Sequence, residues 1–115
     1  MAKFDLNKKP RKYKTGINEA IIIKDIGNIS LKNNEQVTFL FNKQKYDFTK
    51  KNWGFYISQS INSSLLNKNF KIALIKNKFS KIYLVAVSKF KLVDFKKYCK
   101  KDQQKIIIWI NEKNF

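Results

Sequence analysis

Histidine is absent from this chain. Its absence removes the Ser-His-Asp triad, the Cys-His pair, His-ligated zinc and imidazole acid–base chemistry. Cysteine occurs once, at Cys99, which excludes an internal disulfide and a Cys-rich metal site. Gly16, Gly27 and Gly54 are the only glycines, too scattered for a phosphate-cradling loop or a dinucleotide-binding turn. Proline and arginine occur once each, at Pro10 and Arg11. Long apolar runs are also missing. Runs such as residues 20–23, 82–87 and 106–110 fall far short of the roughly 20 residues that a membrane-spanning helix needs. The opening Met-Ala-Lys-Phe-Asp-Leu-Asn has no apolar stretch of signal-peptide length, so a cytoplasmic location is expected.

What remains is a chain of 115 residues, 43% hydrophobic and 15% aromatic, which predicts one packed domain rather than disorder. Lysine and arginine total 25 against 8 acidic residues, a formal charge of +17. The wealth of lysine, isoleucine, asparagine and phenylalanine is that of an AT-rich coding sequence, which accounts for lysine in place of arginine. It does not account for the shortage of acids, so the charge points to an anionic partner. Lysine offers a point charge where arginine offers a planar fork. Binding through phosphates with little sequence reading is therefore the expectation for a nucleic-acid ligand.

The charge is uneven. Residues 1–14 carry net +5, residues 15–42 net −1 and residues 43–115 net +13. Residues 1–16 read as a flexible basic arm, with Lys8, Lys9, Arg11, Lys12, Tyr13 and Lys14 around the only proline. Residues 17–115 read as a single domain of α+β class.

Alternation of apolar and polar residues marks short strands at 20–23, 29–31, 36–41, 45–49 and 53–58. Val37, Phe39 and Phe41 share one face, Thr38 and Leu40 the other, and in the next strand Tyr46 and Phe48 point inward. Ser60 and the Ile61/Leu65 spacing predict a short helix near residues 60–67. A hairpin follows, 70–75 and 79–88 around Asn77-Lys78. The run 82–87 is apolar on both faces and is the expected central strand. Leu92, Phe95 and Cys99 form the apolar stripe of the main helix, near residues 91–101. Residues 105–110 read as a strand, with a helical turn as the alternative. Close strand spacing favours antiparallel pairing. The expected architecture is a strongly curved sheet or small half-open barrel, with the helix on one side.

Three clusters carry candidate chemistry. Tyr13 lies within the basic arm, and Trp53 and Tyr56 lie beside Lys50 and Lys51; aromatics stack bases while cations hold phosphates in single-strand binders. The plain alternative places Trp53 in the core and leaves the lysines as solvation. Lys96, Lys97, Lys100 and Lys101 concentrate charge on the main helix, either as a phosphate-tracking face or as a solvated surface. Trp53, Tyr56, Ser58, Ser60 and Asn62 could instead line a small-ligand pocket, although polar residues there also suit capping. Asp25, Glu35, Asp47 and Asp94 are not paired by spacing, and Cys99 lies on the apolar stripe. A non-enzymatic protein without metal or cofactor is expected.

Residues 35–110 resemble a small bacterial family. The likeness rests on Tyr46-Asp47, Trp53-Gly54-Phe55-Tyr56 and Ser60-Ile61-Asn62, then an apolar hairpin, Phe95 and Tyr98 on a helix, and Trp109. It implies a genomic setting near surface-polysaccharide genes and no particular activity. Where that pattern places an arginine after Ser-Ile-Asn, this chain has Ser64-Leu65. Three functional classes follow: a binder of RNA or single-stranded DNA, an accessory factor of surface-sugar or sugar-nucleotide metabolism, and a structural subunit with a protein partner.

Overall fold

A computed structural model describes residues 2–113. Its elements run β1 (Lys3–Thr15), β2 (Ile21–Ser30), β3 (Gln36–Phe41), β4 (Gln44–Lys51), β5 (Gly54–Tyr56), α1 (Ser64–Asn67), β6 (Phe70–Lys76), β7 (Ile82–Ser88), α2 (Leu92–Lys101) and β8 (Lys105–Trp109). Short 3-10 turns at Ile17–Glu19, Lys89–Lys91 and Ile110–Glu112 join or follow them. The strands form three antiparallel sheets, β1-β2, β3-β4-β5 and β7-β6-β8. The α+β class and the antiparallel pairing match the expectation, but the half-open barrel does not: the sheets are separate and do not close.

The basic arm is not an unpaired tail. Residues 3–15 form β1, paired with β2, and the two short strands expected after Ile17 merge into one continuous β2. The physical reason lies at Pro10. The register breaks between Leu6 and Arg11, where Asn7 to Pro10 stand opposite Ile26 alone. A proline in such a bulge forfeits no ladder hydrogen bond. Asn7 also donates its side-chain amide to the Asp25 carbonyl at 3.1 Å. On β2, Gly27 has φ +156°, and a Cβ there would lie 2.2 Å from the Asp5 carbonyl oxygen. Only glycine permits this close approach of the two strands.

The core is built on β6. Phe70 and Ile72 face one side with Leu65, backed by Tyr46, Ile61 and Ile110. Ala73 and Ile75 face the other with Cys99 of α2, backed by Val85, Phe95, Ile106 and Trp109. The central strand of the third sheet is therefore β6, while β7 lies at the edge with Ile82, Tyr83 and Leu84 exposed. Both strands are apolar on both faces, so pattern alone did not separate them. The main helix sits where expected, its Leu92, Phe95 and Cys99 stripe turned inward.

The second sheet is pinned to the third by polar contacts at one corner. Gln44 donates to the carbonyls of Lys68 and Asn69 at 3.2 and 2.8 Å and accepts from the Ser88 hydroxyl at 2.5 Å. Tyr46 and Phe70 pack edge to face across the same seam, 5.5 Å apart. The carboxamide of Asn111 serves as a second clamp, accepting from the Ile72 N–H and donating to the Ile61 carbonyl.

Candidate nucleic-acid interface

Strand alternation divides the arm residues into two populations, because cross-strand partners share a face. Phe4/Ile29, Leu6/Gly27, Arg11/Asp25, Tyr13/Ile23 and Thr15/Ile21 are paired on one face of the β1-β2 ribbon. Lys3/Ser30, Asp5/Asn28, Lys12/Lys24 and Lys14/Ile22 are paired on the other. Lys8 and Lys9 project from the bulge between these registers. One face is thus apolar with a single neutralised ion pair. The other bears Lys3, Lys12, Lys14 and Lys24 against Asp5, with exposed Ile22 and Ile26 among them.

The two faces differ in what their charges do. Arg11 is bonded to Asp25 at 3.0 Å and lies over the Tyr13 ring, 4.9 Å from its centroid. That guanidinium, followed by the Gly27 N–H, holds the Asp25 carboxyl below the usual carboxylate range. Arg11 and Tyr13, expected as ligand contacts, are thereby engaged with each other and with Asp25. Lys12 faces Lys24 directly across the strand pair. Like charges so placed repel each other, and an anion laid along that face relieves the repulsion. Among the described residues the ion pairs are Arg11–Asp25, Lys71–Glu112 and Lys91–Asp94, so most of the cationic surplus has no acidic partner.

Asp102, which sequence reasoning passed over, joins the ribbon to the body of the fold. Its carboxylate accepts from the Ile17 N–H at 2.7 Å, from the Gln104 amide at 3.1 Å and from the Tyr98 hydroxyl at 3.4 Å. The Ile17 N–H above all lowers its pKa, against the opposing effect of burial. A signal was present in the sequence: an acid just past the C-terminus of a helix opposes the helix dipole, so it needs another role. Two clefts flank the junction and share Ile17, Ile21, Tyr98 and Asp102. Lys14 lines the larger, of about 540 Å³, and Lys101 lines the other. The ribbon base and the basic end of α2 are therefore neighbours.

On α2, Lys96, Lys97, Lys100 and Lys101 are all exposed, away from the apolar stripe. Cys99 is buried, and burial first, then the Asp102 charge, raises its thiol pKa. The thiol packs in the core against Ala73 and Ile75.

Trp53 and Tyr56 are 64% and 56% exposed and meet edge to face at 5.4 Å. Trp53 is not a core strand residue; it sits in the tight β4-β5 turn, set by the Lys51/Gly54 pairing. The adjoining lysines are tethered, Lys51 to the Asn34 side chain at 2.5 Å and Lys50 to the Lys51 carbonyl at 3.3 Å. This aromatic pair belongs to the second sheet and the arm lysines to the first. The polar residues of the alternative pocket do local work. Ser58 donates to the Gln59 carbonyl at 2.7 Å, Ser60 bonds the Ser64 hydroxyl and N–H at 2.8 and 3.0 Å, and Asn62 is exposed.

Among the described residues no group of three or more acidic, histidine or cysteine side chains is placed to hold a metal, and no helix is long and apolar enough to cross a membrane. Comparison with family models, with curated proteins and with solved structures finds no match.

Proposed function

We propose that this protein is a non-enzymatic binder of RNA or single-stranded DNA that holds the phosphate backbone and reads little sequence. The observation that carries this reading is the cationic face of the β1-β2 ribbon, where Lys3, Lys12, Lys14 and Lys24 line up and Lys12 opposes Lys24. A two-stranded ribbon is narrow enough to follow a nucleic-acid groove or strand. Lys8 and Lys9 extend the charge at the bulge, and Lys14 leads toward Lys101, Lys100, Lys97 and Lys96 at the ribbon base. Trp53 and Tyr56 offer exposed rings on which unpaired bases stack.

Nuclease-treated protein titrated into a labelled, mixed-sequence 20-nucleotide RNA tests this. Affinity should fall linearly on a log–log plot against salt, with a slope of about −0.7 per phosphate neutralised, and should change little between sequences. Absence of binding at low salt would refute the proposal.

A further inference from the structure

A strand at the edge of a sheet presents unpaired backbone groups, and folded proteins blunt such edges with charge, proline, a bulge or a short length. The strand β7 has none of these devices. Its seven residues, Ile82–Ser88, include no charge and no proline and pair with β6 without a register shift. Among the described residues no strand lies on its other side. The bonds just beyond each end fix its phase. Lys89 donates its N–H to the Asn69 carbonyl at 2.9 Å, and the Lys81 carbonyl accepts from the Asn77 N–H at 3.0 Å. Odd-numbered residues therefore bond to β6, and Ile82, Leu84 and Ala86 turn their N–H and C=O groups to the open edge. The side chains of Ile82 and Leu84 are exposed as well.

A wall stands beside this edge. Lys91, Asp94, Phe95 and Tyr98 recur at helical spacing, and this flank of α2 lines a cleft of about 500 Å³ together with residues 85–88. Tyr98 and Val85 also line the cleft of about 540 Å³ that holds Tyr83 and Leu84, so the two adjoin along β7. The other edges differ. Of β3 only Phe41 reaches these clefts, and β8 is shorter and shifts register against β6. A groove between an open strand edge and a helix suits an extended peptide that adds a strand. Ladder bonds then give affinity, and pockets for alternate side chains give specificity.

We infer that the β7 edge binds an extended segment of a partner protein, apolar over about five residues and acidic at both ends. The outward backbone groups call for a strand, and Tyr83, Leu84 and Val85 call for an apolar centre on both of its faces. Charge sets the ends. Lys81 and Lys89 flank β7, Lys14 lines the groove at one end and Lys91 at the other. Of the acids lining it, Asp102 is taken by the Ile17 N–H and Asp94 lies 3.7 Å from Lys91, which leaves Glu19. The same lysines disfavour a second copy. Two fully overlapped antiparallel β7 strands would set Lys81 of one against Lys89 of the other, and like charges so placed repel. This inference does not rest on the nucleic-acid reading.

A pool of short peptides tests it, with Glu-Glu at each end and about five central positions drawn from Val, Ile, Leu, Thr and Ala. Fluorescence anisotropy with the full chain should find members that bind with Kd below about 100 µM. Proline at the centre of the best member keeps its charge but removes a ladder donor, and Lys-Lys ends keep the strand but reverse the charge. Each change should weaken binding about tenfold or more. In the protein, Leu84→Pro removes an outward N–H and no bond to β6, and should have the same effect. Should that variant misfold, the wild-type amides decide: the peptide should slow hydrogen exchange at Ile82, Leu84 and Ala86 and leave β2 unchanged. Three results would overturn the inference. One is that no member binds below about 100 µM. Another is binding that the central proline does not weaken, which is adhesion by charge alone. The third is exchange at these three amides that slows as the free protein is concentrated, which puts a second copy on the edge.

Discussion

Gly27 and Asp102 are the residues on which the ribbon depends, for different reasons. At Gly27 the strands approach so closely that any Cβ meets the backbone of Asp5. Gly27→Ala should therefore open the β1-β2 pairing at a cost of about 1–3 kcal/mol. Hydrogen exchange should rise in both strands around the substitution while β6 stays protected; unchanged exchange would show that the approach is not tight. Asp102 fastens the ribbon base through the Ile17 N–H. Asp102 and Asp25 are both held below the ordinary carboxylate value of 3.8, so the stability they add is fully present above that value. It is lost as pH falls from 3.8 through their lowered folded values. Acid should thus release the ribbon before the β6 core. Asp102→Asn, which keeps the shape but not the charge, should remove the part of this acid response that belongs to the ribbon base. Loss of ribbon and core together, in one step identical in the variant, would count against a latch at Asp102.

Among the elements, β6 and β7 show how far pattern reaches. Both are apolar on both faces, yet β6 lies between two strands and under α2, whereas β7 has an open edge. Ile72→Ala should cost about 2–4 kcal/mol in urea unfolding, and Ile82→Ala, on the exposed edge, less than about 1 kcal/mol. Equal costs would mean that β7 is covered as completely as β6. The helix at Leu92–Lys101 was legible because Leu92, Phe95 and Cys99 repeat at helical spacing. The shared face of Val37, Phe39 and Phe41 was legible from strict alternation; that Phe48 and Tyr46 stand opposite Val37 and Phe39 follows only from the register. The strand β1 was not. Its lysines and Pro10 mask the alternation of Phe4/Leu6 and Arg11/Tyr13, and the bulge at residues 7–10 shifts the phase between the two pairs. Trp53 was misplaced as an alternating strand residue because Gly54 starts β5 one position later, leaving the indole in the turn.

At the scale of the whole molecule the chain is open. Its radius of gyration is 15.8 Å, against about 13.4 Å for a compact chain of its length. A net charge of +17 opposes compaction, and three small sheets share little common core. The proposed polyanion binding rests on the part of that charge that lies on one ribbon face and one helix face. That sorting was beyond the sequence: the lysines were countable, but which of them share a surface follows only from the β1-β2 register and the Ile17–Asp102 junction. The expected contacts Arg11 and Tyr13 fall on the apolar side, while Lys24, outside the expected arm, joins Lys12 and Lys14.

The most direct test is therefore a comparison of salt slopes. Lys12→Gln, Lys14→Gln and Lys24→Gln combined remove three charges from the ribbon face, and Lys32→Gln, Lys43→Gln and Lys81→Gln combined remove three from loops elsewhere. RNA binding by the ribbon variant should lose about 2 from the magnitude of its log–log salt slope, at roughly 0.7 per charge, while the loop variant keeps nearly the wild-type slope. Equal slopes in the two variants would contradict the ribbon face as the phosphate-binding surface.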